Sequence, residues 1–389
     1  MKSVYLDNSA TSFPKPESVV KAVVEYMTEI GANVNRSTHA NAKSASMRVY
    51  ETRELAKRLF HFKGDESHVI FTPGATFSLN QAIKGYLQGN EHVLVSSLEH
   101  NAVMRPLREL EKQGLRISLI PADKDGLSDL TKAKELLDSG VDMLIVSHAS
   151  NVCGAILPLE ELCAIAYERR IPVVLDASQS AGHIEVDFDA LHLSALCTPA
   201  HKGLLAPQGL GLLILEEAFA KQLRPLVSGG TGSLSNSDVQ PEFLPDKLES
   251  GTPNIPAIFG LHASLEYLLE RGVGAIREKE MELTDFFLSG LQEILQDCPG
   301  AFRIVGPADA STRLGVISLD FRDFDNAEVS EILESEHGIK TRCGLHCAPI
   351  AHKTLGSYPQ GTVRFSLSHF SSKEELAYTL DAIKELNHG

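Results

Sequence analysis

Short apolar runs rich in β-branched residues alternate with longer amphipathic runs along the first half of this 389-residue chain. From about Ser67 onwards, the runs that predict strands are HVIFT, HVLVSS, RISLIP, DMLIVSHAS, IPVVLDAS and LSALCT. Nearly continuous apolar strands, separated by helices such as the one predicted from Leu159 to Arg169, are typical of a parallel sheet covered on both faces. We therefore predict an α/β fold with a mostly parallel sheet, right-handed crossovers and ligands bound at the carboxyl ends of the strands.

The pattern changes past Gly251. Helix-like runs over residues 256–271 and on to about Gln296 are followed by alternating strands such as GVISLDF and TVRFSLS. The length of the chain allows one large domain plus a smaller one. We predict a large domain over residues 16–255 and a smaller α+β domain formed by residues 1–15 and 256–389.

Composition narrows the classes of partner. The formal net charge of −15 argues against broad binding of nucleic acid or anionic membranes, since both require a basic surface. No segment has the unbroken apolar length that a bilayer requires, and no apolar run follows the early Lys2, so we expect a cytoplasmic protein. The segment 226–245 is rich in Gly, Ser, Asn and Pro, which predicts a long loop.

The cysteine content indicates reduced thiols and no metal site. The six cysteines are scattered, unlike the disulfide framework of a small secreted protein. Only Cys343 and Cys347 lie close together in sequence. A single Cys-x3-Cys pair lacks the second ligand pair of a zinc site, so we expect no metal.

A His-Lys pair between an apolar strand and a glycine-rich turn, in LSALCTPAHKGLLAPQGLG, makes Lys202 a candidate Schiff-base lysine. A lysine amine attacks an aldehyde usefully only where its site lowers its pKa and fixes its direction, as pyridoxal phosphate enzymes do. Judged alone, Lys202 could also be a solvated surface lysine. Asp176 ends the preceding apolar strand, where burial without a partner would be costly. Its partner could be a protonated pyridine nitrogen, or it could simply be an N-cap.

Other strand ends also carry polar residues. After HVIFT, a glycine turn leads into a helix whose first-turn amides and Thr76 hydroxyl could bind a phosphate, or Thr76 could simply cap that helix. After HVLVSS, His100 could stack on a cofactor ring or be an ordinary polar loop residue. Asn151 follows DMLIVSHAS and Gln179 follows IPVVLDAS. The carboxyl edge of the sheet is thus the predicted place of the chemistry.

Ordered motifs over nearly the whole chain carry a resemblance to a known family. They are YLDNSATS at Tyr5, NVNRSTH at Asn33, GAT at Gly74, EHN at Glu99, SNVCG at Ser150, DASQ at Asp176, HKG at His201, ESGTPN at Glu249, RCGLHCAP at Arg342 and VRFS at Val363. With this set the chain resembles the class V aminotransferase superfamily of fold type I pyridoxal phosphate enzymes. Within it, the chain is most similar to the cysteine desulfurase and selenocysteine lyase branch. The resemblance implies an aspartate aminotransferase-like fold with a large domain that binds pyridoxal 5'-phosphate.

The resemblance also implies roles around the ring of the cofactor. Lys202 would carry the cofactor in Schiff-base linkage, Asp176 would hold the pyridine nitrogen and His100 would stack on the ring. Gln179 and Asn151 would hydrogen-bond the phenolic oxygen of the ring. Lys202 and His100, together with a cysteine described below, form the predicted catalytic set.

At the other end of the cofactor, the resemblance implies contacts with the phosphate. Ala75, Thr76 and His201 would hold the phosphate of the same subunit. Thr252 would reach the phosphate of the neighbouring subunit, since members of the family are homodimers with sites at the interface.

The reaction implied by the resemblance is desulfuration of L-cysteine to L-alanine. Arg364 would clamp the substrate carboxylate, and the further substrate contacts would be Asn8, Asn151 and Arg342. Cys347 lies in Gly-Leu-His-Cys-Ala, which is similar to the loop of the Suf-type, or group II, desulfurases. In those enzymes the cysteine attacks the substrate sulfur and keeps it as a persulfide for an acceptor protein or a small thiol. A thiolate is required, and His346 and Arg342 are candidates for promoting it.

The chain departs from the family pattern at two positions near these residues. Pro199 stands where many relatives have a Ser or Thr that binds phosphate, so that contact is lost or taken by Thr198. Leu345 replaces a histidine common in the desulfurases. Cys343, four residues before Cys347, could resolve the persulfide into a disulfide or relay sulfur.

Several functions remain open at this point. A selenocysteine lyase would act on L-selenocysteine and need Cys347 only to discriminate against sulfur. Another lyase or an aminotransferase of the same fold would release pyruvate or a keto acid. A binding protein could keep the fold without the chemistry and serve as a scaffold for sulfur-carrier partners.

Overall fold

The computed structural model describes residues 3–34, 39–234, 236–321 and 324–386. Its strands are β1 (Val4–Tyr5), β2 (Val69–Thr72), β3 (His92–Ser96), β4 (Arg116–Ile120), β5 (Met143–Ser147), β6 (Val173–Asp176), β7 (Ala195–Pro199), β8 (Gly211–Leu215), β9 (Phe302–Val305), β10 (Val316–Phe321), β11 (Ile339–Lys340), β12 (Arg342–Gly344) and β13 (Thr362–Ser366). Its α-helices are α1 (Glu17–Glu25), α2 (Ala40–Leu59), α3 (Ala75–Tyr86), α4 (Asn101–Glu111), α5 (Leu130–Leu137), α6 (Leu159–Glu168), α7 (Glu217–Gln222), α8 (Ile255–Arg271), α9 (Val273–Asp297), α10 (Asn326–His337), α11 (Pro349–Leu355) and α12 (Lys373–Leu386). None of the helices in these ranges is both long and apolar enough to span a membrane.

Seven strands form one central sheet in the order β2, β8, β7, β6, β5, β3, β4. The strands from β7 through β6, β5 and β3 to β4 run parallel, whereas β8 is antiparallel to β2 and β7. The predicted α/β fold with a mostly parallel sheet is therefore confirmed. The six predicted runs all contain strands, but β8 is absent from the sequence prediction, which ends this segment in a glycine-rich turn. Between α7 and α8 the described residues form neither helix nor strand, as the predicted loop requires.

Side chains of the central strands point alternately into two hydrophobic cores. On β5, Leu144 and Val146 belong to one core, and Met143 and Ile145 belong to the other. Helices α1, α2, α5, α6 and α8 cover the first face, and α3, α4 and α7 cover the second. Full burial of an aliphatic side chain contributes about 1.5–3 kcal/mol relative to exposure, so both faces are strongly specified. Strands β6 and β7 are buried along their whole length, which leaves only their ends for polar groups.

A second, antiparallel sheet contains four strands in the order β12, β13, β10, β9. Helices α9, α10 and α12 pack against it in a separate hydrophobic core. The strands β10 and β13 lie in the predicted runs GVISLDF and TVRFSLS. Near the amino end of the chain, β1 pairs in parallel with β11, and Asp7 forms an isolated bridge with Ser366. The segment 3–15, which we call the amino-terminal arm, therefore lies beside the second sheet.

Helix α8 follows the position at which we divide the chain into domains. Its residues Ile258, Leu261 and Leu265 belong to the same core as the central sheet. Helix α9 begins in that core with Val273 and Ile276, and from Leu283 onwards it packs in the core of the second sheet. The division into residues 16–255 and 1–15 with 256–389 stays a prediction, with α8 attached to the larger sheet.

A buried polar network connects α9 to the loop that follows β6. The ring of His183 contacts the Glu280 carboxylate at 2.8 Å, and the same carboxylate accepts the main-chain amide of His369 at 3.1 Å. Burial alone would raise the pKa of Glu280, but the charges and hydrogen bonds from His183 and His369 lower it to about 2. Burial likewise opposes protonation of His183, and Glu280 outweighs it, so the pKa of His183 lies above its usual value. Each partner of this pair therefore favours the charged form of the other.

Replacing Glu280 by Gln should destabilise the fold, because it removes the buried carboxylate that contacts the His183 ring and accepts the amide of His369. Loss of one partner of such a pair is expected to lower the free energy of unfolding by on the order of 3 kcal/mol. Denaturant unfolding followed by circular dichroism measures this change. Glu282→Gln on the same helix is the matched control, because its ion pair with Lys373 is half-exposed and should matter little. Equal losses of unfolding free energy in the two variants would contradict a stabilising role of the buried Glu280 carboxylate.

Candidate active site

A cavity of about 720 Å³ lies at the carboxyl ends of the central strands. Ser147, Asp176 and Pro199, the last residues of β5, β6 and β7, line it. The predicted cofactor residues in its wall are Ala75, Thr76, His100, Asn151, Asp176, Gln179, His201 and Lys202. The fold thus brings together side chains that follow different strands, as expected for an open parallel sheet.

Lys202 lies in the turn after β7, half-buried in the cavity wall. Burial lowers the pKa of its amine to about 8; Asp176 opposes this shift, and Arg364 and Arg342 add to it. The turn is packed backbone against backbone, since a Cβ at Gly203 would collide with the carbonyl oxygen of Ala181. Lys202 therefore has a lowered pKa, as a nucleophilic lysine requires, and lies on a closely packed backbone.

Asp176 is buried where β6 ends. One of its carboxylate oxygens accepts the amide of Ser178 at 2.9 Å, which is the local contact of a capping aspartate. Within the described residues no Lys, Arg or His forms an ion pair with Asp176. A carboxylate has two oxygens, so the contact with Ser178 leaves the other for a cationic ligand in the cavity.

His100 is the N-cap of α4. Its Nδ1 accepts the amide of Ala102 at 3.0 Å, and burial lowers the pKa of the ring to about 4. The ring is therefore neutral at pH 7, with its proton on Nε2. It lines the cavity while it caps the helix, so the capping contact and a contact with a ligand are compatible.

The first turn of α3 forms one end of the cavity, with Gly74, Ala75 and Thr76 in the wall. The N-cap of α3 is Gly74, and no side chain caps the helix, so the alternative in which Thr76 is the cap is wrong. The first amides of a helix have no intrahelical acceptor and attract anions. His201 lines the same cavity, and its buried Nδ1 has no partner among the described residues. This end of the cavity therefore suits a phosphate.

Thr198, next to Pro199, does not supply a hydroxyl to the cavity. Pro199 itself lines the cavity. Thr198 is buried, and its hydroxyl lies 3.5 Å from the carbonyl oxygen of Ala177 and 3.4 Å from that of Pro199. Thr198 does not line the cavity, so its hydroxyl does not stand in for one at position 199 in the cavity wall.

Three predicted amide side chains connect the cavity to neighbouring segments. Asn151 donates from Nδ2 to the carbonyl oxygen of His346 at 2.8 Å. Gln179 donates to the carbonyl oxygen of Ser9 at 3.3 Å. Asn8 donates to the main chain of β13 at 3.0 Å and shares a space of about 10 Å³ with Gln179 and Lys202. Asn151 and Gln179 therefore face the main cavity while bonded to neighbouring segments, whereas Asn8 lies beside it.

Arg364 lies behind the cavity wall, in the middle of β13. Its side chain is 1% exposed, and its Nη2 donates to Asp7 at 2.8 Å. Its Nη1 donates to the main-chain carbonyl of Asn151 at 3.0 Å. Arg364 does not itself line the cavity. Protein groups therefore occupy two of the three guanidinium nitrogens of Arg364.

Cys347 lies in an exposed loop at the edge of the site. Its main-chain carbonyl accepts the first amide of α4, that of Asn101, at 2.8 Å. Both His346 (φ +47°) and Cys347 (φ +58°) adopt the left-handed conformation, which is uncommon for residues other than glycine. Such strain is seen where surrounding contacts hold the backbone, as Asn101 and Asn151 do here. Cys347 stands outside the cavity wall but next to the helix that carries His100.

The two candidates for promoting a thiolate are placed differently. Arg342 Nη2 is 4.0 Å from the Cys347 sulfur. His346 turns its Nε2 to the hydroxyl of Thr362 at 3.0 Å, and burial lowers the pKa of its ring to about 2. Arg342 is therefore the cation beside the thiol, and the neutral His346 ring anchors the loop.

Thr252 lies outside the main cavity. It lines a second cavity of about 360 Å³ together with Arg53, Asp246 and Asn254. The motif NVNRSTH begins beside this cavity at Asn33, but its residues 35–38 lie outside the described residues. The role of Thr252 toward a neighbouring subunit stays a prediction.

Two residues near the site are absent from the predicted set. Asp7 belongs to the YLDNSATS motif and pairs with Arg364. Glu99, next to His100, is fully buried; burial raises the pKa of its carboxyl to about 7, against hydrogen bonds from Ser96 and Ser147. The signal for both was their place in motifs of the resemblance.

Comparisons with known proteins agree with this geometry. Residues 4–378 match the family described as aminotransferase class V. A probable cysteine desulfurase of Pyrococcus abyssi is 32% identical over 98% of this chain and 94% of its own length. One of Methanothermobacter thermautotrophicus is 30% identical over the same shares.

Solved structures lead to the same group. The apo structure of the cysteine desulfurase from Thermococcus onnurineus NA1 superposes with a TM-score of 0.92 at 32% identity, covering 100% of this chain and 95% of that one. A cysteine desulfurase from Escherichia coli superposes with a TM-score of 0.85 at 27% identity, covering 98% and 94% of the two chains. With the cavity, the lysine turn and the cysteine loop in the places described above, the chain belongs to the class V aminotransferase family and to its cysteine desulfurase branch.

Proposed function

We propose that this protein is a pyridoxal phosphate-dependent cysteine desulfurase that converts L-cysteine to L-alanine and keeps the sulfur as a persulfide on Cys347. The observation that carries the proposal is the position of Cys347. Its thiol is exposed, and its main-chain carbonyl accepts a hydrogen bond from Asn101, the first residue of the helix that begins after His100. The loop is also bonded to Asn151 in the cavity wall. The relatives from Pyrococcus abyssi and Thermococcus onnurineus, which are cysteine desulfurases by name, support the same activity.

The residues around the cavity fit pyridoxal phosphate. The amine of Lys202 with its lowered pKa suits the aldehyde. Asp176, which forms no ion pair within the described residues, offers its carboxylate to the pyridine nitrogen. The first turn of α3 and the unpartnered Nδ1 of His201 suit the phosphate. When bound, the cofactor supplies an electron sink that makes the Cα–H bond of an amino acid acidic.

Lys202, Arg364 and His100 then prepare the amino acid. Lys202 takes the Cα proton, which its pKa of about 8 allows at neutral pH once the amine is free. Arg364 receives the α-carboxylate, which fixes the orientation of the Cα–H bond. The neutral ring of His100 covers one side of the site and brings no positive charge next to Lys202.

Cys347 performs the sulfur transfer. Its thiolate, beside Arg342, attacks the sulfur of the bound cysteine, so that an S–S bond forms as the Cβ–S bond breaks. The electron pair of the broken bond stays with the carbon, which takes up a proton to give alanine. The outer sulfur of the persulfide then passes to the thiol of an acceptor protein or a small molecule.

We further propose that the protein is a cytoplasmic homodimer in which Thr252 reaches the phosphate of the neighbouring subunit. In its own chain Thr252 faces the second cavity rather than the first, which supports a role toward another subunit. Large apolar side chains are exposed in the loop 226–245 that precedes Thr252, namely Leu226, Val227, Leu234, Val239 and Phe243. All six cysteines are free thiols, which fits a reducing compartment.

The rate of Schiff-base formation between apoprotein and pyridoxal phosphate should rise with pH around a midpoint near 8. Only the neutral amine attacks the aldehyde, and the pKa of Lys202 is lowered to about 8, whereas an ordinary lysine would titrate near 10.4. Stopped-flow absorbance across pH measures the midpoint. Lys202→Arg should abolish the absorbance change, and the exposed Lys63→Arg should leave it intact. A midpoint close to 10 would contradict the assigned environment.

Substituting Cys347 by Ser should stop persulfide formation and alanine release from L-cysteine while leaving cofactor binding unchanged. Peptide mass analysis after brief incubation with L-cysteine, with alanine quantified in the same sample, measures both. Cys343→Ser is the matched control, because this half-buried cysteine on β12 should not carry the added sulfur.

Continued alanine release by Cys347→Ser would remove Cys347 from the mechanism. The same assay with L-selenocysteine distinguishes a cysteine desulfurase from a selenocysteine lyase, since the lyase would act on L-selenocysteine without Cys347. Pyruvate or a keto acid in place of alanine would indicate another lyase or an aminotransferase.

A further inference from the structure

We propose that Asp7 is a specificity-determining residue, whose carboxylate occupies Arg364 in place of the substrate carboxylate and sets the affinity for that group by competition. The inference rests on the proposed function in one respect, that Arg364 receives the carboxylate of an amino acid. Its basis is the set of contacts that Arg364 and Asp7 make with each other and with their neighbours.

The guanidinium of Arg364 is only partly satisfied. Nη2 donates to one oxygen of Asp7 at 2.8 Å, and Nη1 donates to the Asn151 carbonyl at 3.0 Å. Nε is buried and has no partner among the described residues. Nε and Nη2 lie on the same edge of a guanidinium, and that edge binds a carboxylate best through two parallel hydrogen bonds. Asp7 therefore fills half of a two-donor site.

Asp7 is placed so that it can leave this site without unfolding the arm. Its backbone is fixed, since its carbonyl accepts the amide of Ala10 at 3.0 Å and the next residues bond to Ser366. Its carboxylate contacts Arg364 and, within the described residues, no other cation. The side chain is 22% exposed, in contrast to the 1% of Arg364. Rotation of one side chain would turn the Asp7 carboxylate toward solvent.

The balance of interactions favours exchange with a ligand carboxylate. A buried donor without an acceptor is unfavourable, and a carboxylate that bonds to both Nε and Nη2 would satisfy it. Such a ligand replaces a one-point ion pair by a two-point one, while Asp7 regains water. A carboxylate neutralises the charge of Arg364 both with and without the ligand. The affinity for the ligand therefore depends on the strength of the ion pair between Asp7 and Arg364.

The alternative is that Asp7 only orients Arg364 for the ligand. The two hypotheses predict opposite changes in ligand affinity when the charge of Asp7 is removed. If Asp7 competes, loss of its charge leaves Arg364 uncompensated without a ligand, and a ligand carboxylate binds more tightly. If Asp7 orients, loss of its charge frees the guanidinium to move, and the ligand binds more weakly.

The test measures binding of L-alanine and of L-alaninamide, which lacks the carboxylate, to the holoprotein by isothermal titration calorimetry. In Asp7→Asn, L-alanine should bind about tenfold more tightly than in the unchanged protein, while L-alaninamide binding should stay the same. The KM for L-cysteine should fall by a similar factor. Asp138→Asn is the matched control, since Asp138 also pairs with an arginine, Arg169, at 2.6 Å but lies on the surface away from the cavity.

Asp7→Ser provides a second charge-removing variant in case Asp7→Asn does not fold, and thermal unfolding checks both. Unchanged or weaker binding of L-alanine in the folded variants would overturn the inference, as would an equal gain for L-alaninamide. Binding of L-alanine requires no desulfuration, so the shift would persist even if L-cysteine gave no alanine. That combination would overturn the proposed function and leave the inference standing.

Discussion

Strands β5, β6 and β7 are buried on both faces, so only their ends can present polar groups to a ligand. Parallel strands end at the same edge of the sheet, and helices cover both of its faces. Asp176 and the Lys202 turn come together for this reason and not because of any local attraction. The same burial removes water from around Lys202 and lowers the pKa of its amine. The chemistry of the site is in this sense a consequence of how the sheet is covered.

The cysteine loop depends on both sheets at once. It follows β12 of the second sheet, yet its main chain is bonded to Asn101 and Asn151, which follow β3 and β5 of the central sheet. The ring of His346 anchors it to β13 through Thr362. These contacts hold two consecutive residues in the left-handed conformation. A relative movement of the two sheets would therefore change the position of the Cys347 sulfur directly.

The sequence predicted a site residue correctly placed in the cavity where the polar residue and the apolar run of a strand lie in the same short segment. Asp176 and Lys202 could be predicted because each follows an apolar strand within a few residues. The pairing of Asp7 with Arg364 could not, since the partners are 357 positions apart and the two motifs that contain them do not indicate that they contact each other. Glu99 resembles a solvated loop residue in sequence and is buried only because Ser96 and Ser147 supply its hydrogen bonds. The strand β8 was missed because its glycine-bounded run continues directly from the lysine turn.

The amino-terminal arm has a consequence for how this protein is made. Residues 4 and 5 pair with residues 339 and 340, and Asp7 bridges to Ser366, so the arm finds these partners only in segments that follow the whole central sheet in the chain. Domains fold largely as they leave the ribosome, and the central sheet has all its strands by residue 215. A nascent chain can thus complete the central sheet while the arm and β13 are still apart. Arg364 and the cysteine loop also follow the last strand of the central sheet in the chain, so the sheet edge that carries Asp176 can form before either of them is brought to it.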